Sequence, residues 1–219
     1  MGYRHRYTDA RDCPWPPGKI VCVGRNYAAH ARELNNPLPE HPILFIKPGS
    51  CAVAMEQPLV LPAGRDDCHH ELEIALLIGR PLAAARAGET LAAIAGIGLG
   101  LDLTLRDEQQ RLKAQGHPWE RAKAFDGAAP LSAFHGGVPA ALDRLELALH
   151  INGRVVQAGN SRDMLFSIPA LLEEISHAFS LQPGDVVLTG TPAGVGPLRS
   201  GDTLCATLAG ILRVETRVL

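Results

Sequence analysis

Aromatic residues make up only 5% of this chain of 219 residues, and no excess of either charge sign marks it: 21 Lys and Arg stand against 23 Asp and Glu. Mixed signs at a net charge of −2 exclude a basic nucleic-acid surface and a patch for acidic membranes. No run of about 18 apolar residues occurs, which excludes a spanning helix. The first residues carry charges and no apolar core segment, so no signal peptide is expected. The five cysteines (13, 22, 51, 68, 205) are odd in number and form no C-x-x-C. That excludes a disulfide framework and points to reduced thiols in a cytoplasmic protein. Repeats and low-complexity linkers are missing too, so nothing divides the chain into units. A hydrophobic fraction of 46% is enough for a proper core. The expectation is an N-terminal arm over 1–17, ending in Cys13-Pro14-Trp15-Pro16-Pro17, and one domain over 18–219. Its class is α+β, mainly β, with a few short helices.

The chemistry shows first at His69-His70-Glu71-Leu72-Glu73. Successive side chains on a strand point to opposite faces, so Glu71 and Glu73 share one face. His70, Leu72, Ile74, Leu76 and Ile78 share the other, which predicts a half-buried strand with two carboxylates at one end. Like charges so close raise each other's pKa unless something positive stands between them. A divalent cation answers that need, and oxygen donors favour Mg2+ or Mn2+ over zinc. The plain alternative is a surface strand whose carboxylates face water. A second segment runs Ile97-Gly98-Leu99-Gly100-Leu101-Asp102-Leu103-Thr104, with Gly98, Gly100, Asp102 and Thr104 on one face. Glycine inside a strand marks close approach of a ligand or another backbone, so these two clear space beside Asp102. Glu71, Glu73 and Asp102 together would form a partly open hard-metal site able to polarise a carbonyl.

Other elements follow from local pattern. Strands are expected at 19–24, 41–48, 58–62, 145–151 and 186–189, with a polar turn at 64–67 and a hairpin turn at Asn152-Gly153. Helices are expected at 28–34 with Asn26 as N-cap, at 90–94, at 106–115, and from 168 to about 179 with Pro169 in the first turn. The segment 119–126 reads as a loop or irregular strand holding Lys123, either a solvated lysine or a site residue. His30 and Glu33 are neighbours on one helix surface, as a general-base dyad or as an ordinary ion pair. The glycine-rich loop 189–196 lacks the P-loop pattern.

The motifs His69-His70-Glu71-Leu72-Glu73, Leu101-Asp102-Leu103-Thr104-Leu105-Arg106-Asp107, Lys123-Ala124-Phe125-Asp126 and Thr189-Gly190-Thr191-Pro192-Ala193-Gly194-Val195-Gly196 fall in a familiar order. With Val23-Gly24-Arg25-Asn26-Tyr27 and Phe45-Ile46-Lys47-Pro48, that order resembles the fumarylacetoacetate hydrolase family from about residue 18 onward. The length looks most like its single-domain branch, which includes acylpyruvate hydrolases and oxaloacetate decarboxylases. Ala124 departs from the usual Ser or Gly. The resemblance implies a mixed β-sandwich roll, a homodimer, and Mg2+ or Mn2+ held at Glu71, Glu73 and Asp102. It also implies hydrolysis of a C–C bond in acylpyruvate-type 1,3-diketo acids such as fumarylpyruvate or acetylpyruvate. In that reaction His30, oriented by Glu33, activates water, Lys123 assists, and the cation stabilises a pyruvate enolate. Arg25, Lys47, Arg106, Gln109 and Thr191 are candidates for holding substrate oxygens. Oxaloacetate decarboxylation and 2-oxo acid isomerisation are alternatives on the same site, and a non-catalytic metal-dependent binding module is a third.

Overall fold

A computed structural model of the chain describes residues 2–65 and 67–219. Met1, at the start of the expected arm, and Asp66, inside the expected turn at 64–67, lie outside the described residues. The strand Leu72–Ile78 is the axis of an eight-stranded, curled sheet. It pairs antiparallel with Ile94–Leu101 on one side and Val186–Leu188 on the other. Val186–Leu188 runs parallel to Ile20–Gly24, whose far neighbour is the antiparallel Ile43–Lys47. On the opposite side Ile94–Leu101 meets His135–Gly136 and Ala129–Leu131, the latter parallel to Ala52–Ala54. A four-stranded antiparallel sheet (Glu146–Ile151, Arg154–Asn160, Thr203–Leu208, Leu212–Arg217) packs against it. Three short strands, Cys68–His70, Thr104–Leu105 and Gly196–Pro197, form a third, antiparallel sheet. The fold is mixed α+β and mainly β, as the sequence predicts.

The expected half-buried strand is instead buried on both faces. Leu72, Ile74, Leu76 and Ile78 enter the larger core with Leu147, Leu171 and Leu208, while Ala75 and Leu77 enter a second core with Phe134 and Leu131. Alternation predicts a wet face because it cannot show what another layer covers. The strand also breaks at Glu71, which stands between Cys68–His70 and Leu72–Ile78. The space beside Gly98 and Gly100 is taken by the protein's own side chains. A Cβ at 98 would lie 2.8 Å from Ser132 Oγ, and one at 100 would lie 2.6 Å from Leu188 Cδ2. These glycines admit core packing, not a ligand.

Four α-helices are present among the described residues: α1 (Ala28–Glu33), α2 (Arg106–Ala114), α3 (Glu120–Lys123) and α4 (Ile168–Ala178). In α4, Ile168, Leu171, Leu172 and Ile175 form one apolar face on the larger core, with Pro169 in the first turn. The segment expected as helix at 90–94 is a 3-10 helix, Ala87–Ala93. Lys123 ends a helical turn where a loop or strand was expected. The strand expected at 58–62 reduces to one bridge between Leu59 and Val218. Asn152 (φ 52°) and Gly153 (φ 78°) both adopt the left-handed conformation that a tight hairpin turn requires. Asn26 does not cap α1; Tyr27 holds that position. The Asn26 carboxamide donates to Thr189 O (2.8 Å) and Phe166 O (3.1 Å) and accepts from Phe166 N (2.8 Å). Tertiary acceptors outbid the helix for that side chain.

The N-terminal segment is tied down: Tyr7 bridges to Phe134, and His5 Nε2 lies 3.0 Å from Gly184 O. All five cysteines are unpaired and four are buried. No helix among the described residues is long and apolar enough to cross a membrane.

Candidate functional site

Two strand ends set the floor of the site. The Asp102 N–H donates to Glu71 O (2.9 Å), clasping the break before Leu72–Ile78 to the residue after Ile94–Leu101. Within that clasp Glu71, Glu73 and Asp102 offer carboxylate oxygens that all lie within 4.8 Å of one another, and all three residues are buried. Oxygen donors on one octahedral Mg2+ or Mn2+ stand about 3–4 Å apart, so small side-chain shifts suffice to close the set.

Positive groups reach two of the three acids. Lys123 Nζ donates to Asp102 Oδ2 (2.6 Å) and Glu71 Oε2 (3.0 Å). Arg106 pairs with the other Glu71 oxygen and donates to Gln109 Oε1 at 2.7 Å. Burial pushes the Glu71 carboxyl up, but Lys123 and then Arg106 prevail and hold it well below the usual carboxylate range. Burial likewise opposes the Lys123 ammonium, yet Asp102 and Glu71 prevail and its pKa is pushed up to about 12. Glu73 is left out. Its carboxylate accepts the Gly190 N–H (2.6 Å), while burial, then Asp102 and Glu71, push its pKa well above the ordinary value. The other Asp102 oxygen, Oδ1, is buried in an ion pair with Lys47 Nζ at 2.7 Å. A buried acid short of positive charge and an all-oxygen donor set fit a hard divalent cation. The Glu71, Glu73 and Asp102 cluster is a divalent-metal-binding site.

One wall of the cavity above this floor is α1. His30, which is buried, places Nδ1 3.4 Å from Glu33 Oε2. Both Glu33 oxygens also accept the Gly194 N–H, at 3.0 and 3.2 Å, so the carboxylate joins the helix to the glycine-rich loop. Another part of the lining is apolar, with Phe45 and Trp119 in edge contact (centroids 5.9 Å) and Lys123 Nζ 5.1 Å from the Phe45 ring centre. The cavity measures about 120 Å³. That is room for a small acid.

The cavity gathers His30, Glu71, Glu73, Asp102, Lys123, Arg25, Arg106, Gln109 and Thr191 from five separate stretches of sequence. Glu33 stands behind His30. Lys47 is different. It is fully buried behind Asp102, and its ammonium also donates to Ala128 O (2.7 Å) and Leu103 O (3.1 Å). With two carbonyls accepting from it, Asp102 paired to it and no surface on the cavity, this lysine orients Asp102 and is out of reach of a substrate. The Thr191 hydroxyl is similarly engaged, donating to Leu72 O (2.9 Å) and accepting from Gln157 Nε2 (2.8 Å). Gln157, buried, also accepts the Leu72 N–H (2.9 Å), and nothing in its local sequence marks it. Gln110 and Lys113 line the cavity as well. Their spacing four and seven residues after Arg106 is a signal the sequence did carry.

The chain matches a family model described as "Fumarylacetoacetate (FAA) hydrolase C-terminal" over residues 19–219. It is 46% identical to the oxaloacetate tautomerase YcgM of Escherichia coli (strain K12), covering 99% of this chain and 100% of that one. A protein of the fumarylacetoacetate isomerase/hydrolase type from Oleispira antarctica has TM-score 0.95 and 52% identity, covering 100% of both chains. A fumarylpyruvate hydrolase from Pseudomonas aeruginosa, solved with Mn2+ and pyruvate, has TM-score 0.93 and 31% identity over 100% of this chain and 96% of that one.

Proposed function

The chain belongs to the fumarylacetoacetate hydrolase family, as a metal-dependent enzyme acting on small keto acids, and from that premise we propose that it interconverts the keto and enol forms of a 2-oxo acid of the oxaloacetate kind. The observation that carries this reading is one small cavity holding both a three-carboxylate metal site and an oriented imidazole. Moving a proton between a carbon and the neighbouring carbonyl oxygen requires those two things and no attacking water. When bound, a divalent cation (Mg2+ or Mn2+) supplies Lewis acidity that makes the C–H beside the carbonyl easier to ionise.

The chain's own groups then divide the work. Glu33 engages His30 Nδ1, which leaves Nε2 to take the proton from the carbon next to the carbonyl and to return it at the 2-oxo oxygen. Lys123, with its pKa pushed up to about 12, keeps its proton at neutral pH and serves as a fixed positive charge. Arg106 lines the cavity beside Glu71, with its guanidinium held by Gln109, and brings a positive charge to the end where a substrate carboxylate would sit. Phe45 and Trp119 keep water from that side. Arg25 lies on the same cavity as a further contact for substrate oxygens, while the Thr191 hydroxyl, already engaged, shapes the lining. A homodimer in the cytoplasm completes the reading, the latter supported by five unpaired thiols.

A second reading is the C–C hydrolysis first expected from the sequence, supported by the likeness to the fumarylpyruvate hydrolase. Decarboxylation of oxaloacetate is a third outcome on the same groups. The test follows oxaloacetate enol and keto forms by ultraviolet absorbance and proton NMR, with acetylpyruvate and fumarylpyruvate in parallel, before and after chelation. Metal-dependent interconversion faster than any bond cleavage supports the proposal. Cleavage of an acylpyruvate without tautomerisation of oxaloacetate would replace it with the hydrolase.

A further inference from the structure

The polar stripe of α2 continues past the floor. Arg106, Gln109, Gln110 and Lys113 follow the i, i+3, i+4, i+7 spacing, and all four line the cavity. Arg106 is committed to Glu71. At the other end of the stripe stands Lys113, at the mouth. Arg25 faces the same cavity from the turn after Ile20–Gly24, held at a left-handed φ of 59°, a conformation that side-chain-bearing residues adopt with strain.

These two cations are unlike the others around the site. The Arg25 guanidinium makes no ion pair or hydrogen bond among the described residues, and the Lys113 ammonium has one neutral acceptor, Asn36 Oδ1 at 3.2 Å. Burial lowers the proton affinity of Arg25, and nothing acidic offsets it. Burial, then Arg25 and Arg106, lower that of Lys113. Two positive groups are thus held within each other's field with no counter-charge supplied by the chain. At the floor the balance is opposite: Glu71, Glu73 and Asp102 face Lys123 and Arg106, three negative charges against two positive on the cavity surface. A divalent cation turns that −1 into +1 and suits one carboxylate of a 2-oxo acid, while the mouth keeps two charges of its own. Side chains on a helix lean toward its N-terminus, so Lys113 leans back toward Arg106 and the floor.

We propose that Arg25 and Lys113 form the subsite for a second carboxylate, so that the cavity selects 2-oxo dicarboxylates over 2-oxo monocarboxylates of the same carbon count. This deepens the function proposed above and rests on it for the reaction, though not for the binding. Arg25 and Lys113 are specificity-determining contacts, and the proton transfer stays with His30.

The test uses the full-length, metal-loaded protein with two four-carbon probes, oxaloacetate and 2-oxobutanoate, which differ in carrying a carboxylate or a methyl at the far end. Binding is read by quenching of Trp119, which lines the cavity, and turnover by deuterium exchange at the carbon beside the carbonyl. Wild type is expected to bind oxaloacetate at least about tenfold tighter. Lys113→Met and Arg25→Gln each lower that preference about tenfold, mainly through KM for oxaloacetate, and Lys113→Arg restores most of it. Lys113 is on an exposed helix face, so its substitution leaves the fold intact, which a melting curve verifies. No preference in wild type, or a preference that survives both substitutions, overturns the subsite. Tighter binding of the dicarboxylate that collapses in the variants, with no tautomerisation of oxaloacetate by wild type, leaves the subsite standing and removes the proposed reaction instead.

Discussion

The floor and the α1 wall of this cavity are built on opposite plans. Each acid of the floor sits on or beside a fully paired central strand, and its oxygens are held by groups from elsewhere: Lys47, Lys123, Arg106 and the Gly190 N–H. The wall is a six-residue helix whose imidazole is held by one carboxylate at 3.4 Å, itself anchored to a single N–H on the glycine-rich loop. A concentration of charge survives burial only where every neighbour is fixed, whereas a proton carrier benefits from slack. The two regions are therefore expected to fail in different ways.

The largest effect is expected at the floor. Asp102→Asn or Glu73→Gln should lower metal retention after dialysis and reduce turnover by at least ~10⁴-fold, since binding and activation are lost together. Retained metal with near-normal rates would show that the oxygens do not share one ion. Next is Lys47→Met, which strips Asp102 Oδ1 of its nearby charge. Removing one partner of a buried pair costs about 3–5 kcal/mol, to be read as a lower urea midpoint that added Mg2+ partly restores. A loss under ~1 kcal/mol would make Lys47 dispensable to the floor.

The wall should behave otherwise. His30→Gln is expected to lower turnover about 10²–10³-fold while metal content and melting temperature stay at wild-type values. Glu33→Gln should follow with about a tenfold drop, because the imidazole is still present but less firmly oriented. Equal loss of metal in these variants would erase the distinction between the two regions. The smallest effect lies outside both, at His5. Burial lowers its pKa below the ordinary imidazole value of 6.5, with the Gly184 carbonyl opposing. The unfolded chain therefore takes up its proton first, so stability falls as pH drops from about 6.5 through the lowered folded value. The melting temperature between pH 7.5 and 5.5 should show this, and His5→Phe should flatten it.

How much of this was legible beforehand depended on where each residue finds its partners. Glu71, Glu73 and Asp102 could be read because a strand's two-residue period places them, and their motifs carried the family resemblance. The 152–153 turn was legible from its Asn-Gly pair, while the sheet's arrangement came only with the family resemblance. Asn26 looked like a helix cap because its true partners, Phe166 and Thr189, are more than a hundred residues away. Gly98 and Gly100 looked like room for a ligand because Ser132 and Leu188 approach from other strands. Lys47 looked like a substrate contact, and only the three-dimensional arrangement shows its ammonium spent on Asp102, Leu103 and Ala128. Gln157 gave no signal, since one carboxamide joining His70, Leu72 and Thr191 has no period to betray it.

The stripe along α2 makes that helix a yardstick. Each residue adds about 1.5 Å along its axis, so the seven positions from Arg106 to Lys113 mark off roughly 10 Å from reactive end to entrance. Shifting the outer mark by one turn, as Gln110→Lys paired with Lys113→Gln would do, shortens the gauge by about 4.5 Å without disturbing the acids beneath. If the outer mark sets the length of diacid accepted, that choice can be retuned on an exposed helix face, leaving the metal floor and His30 untouched.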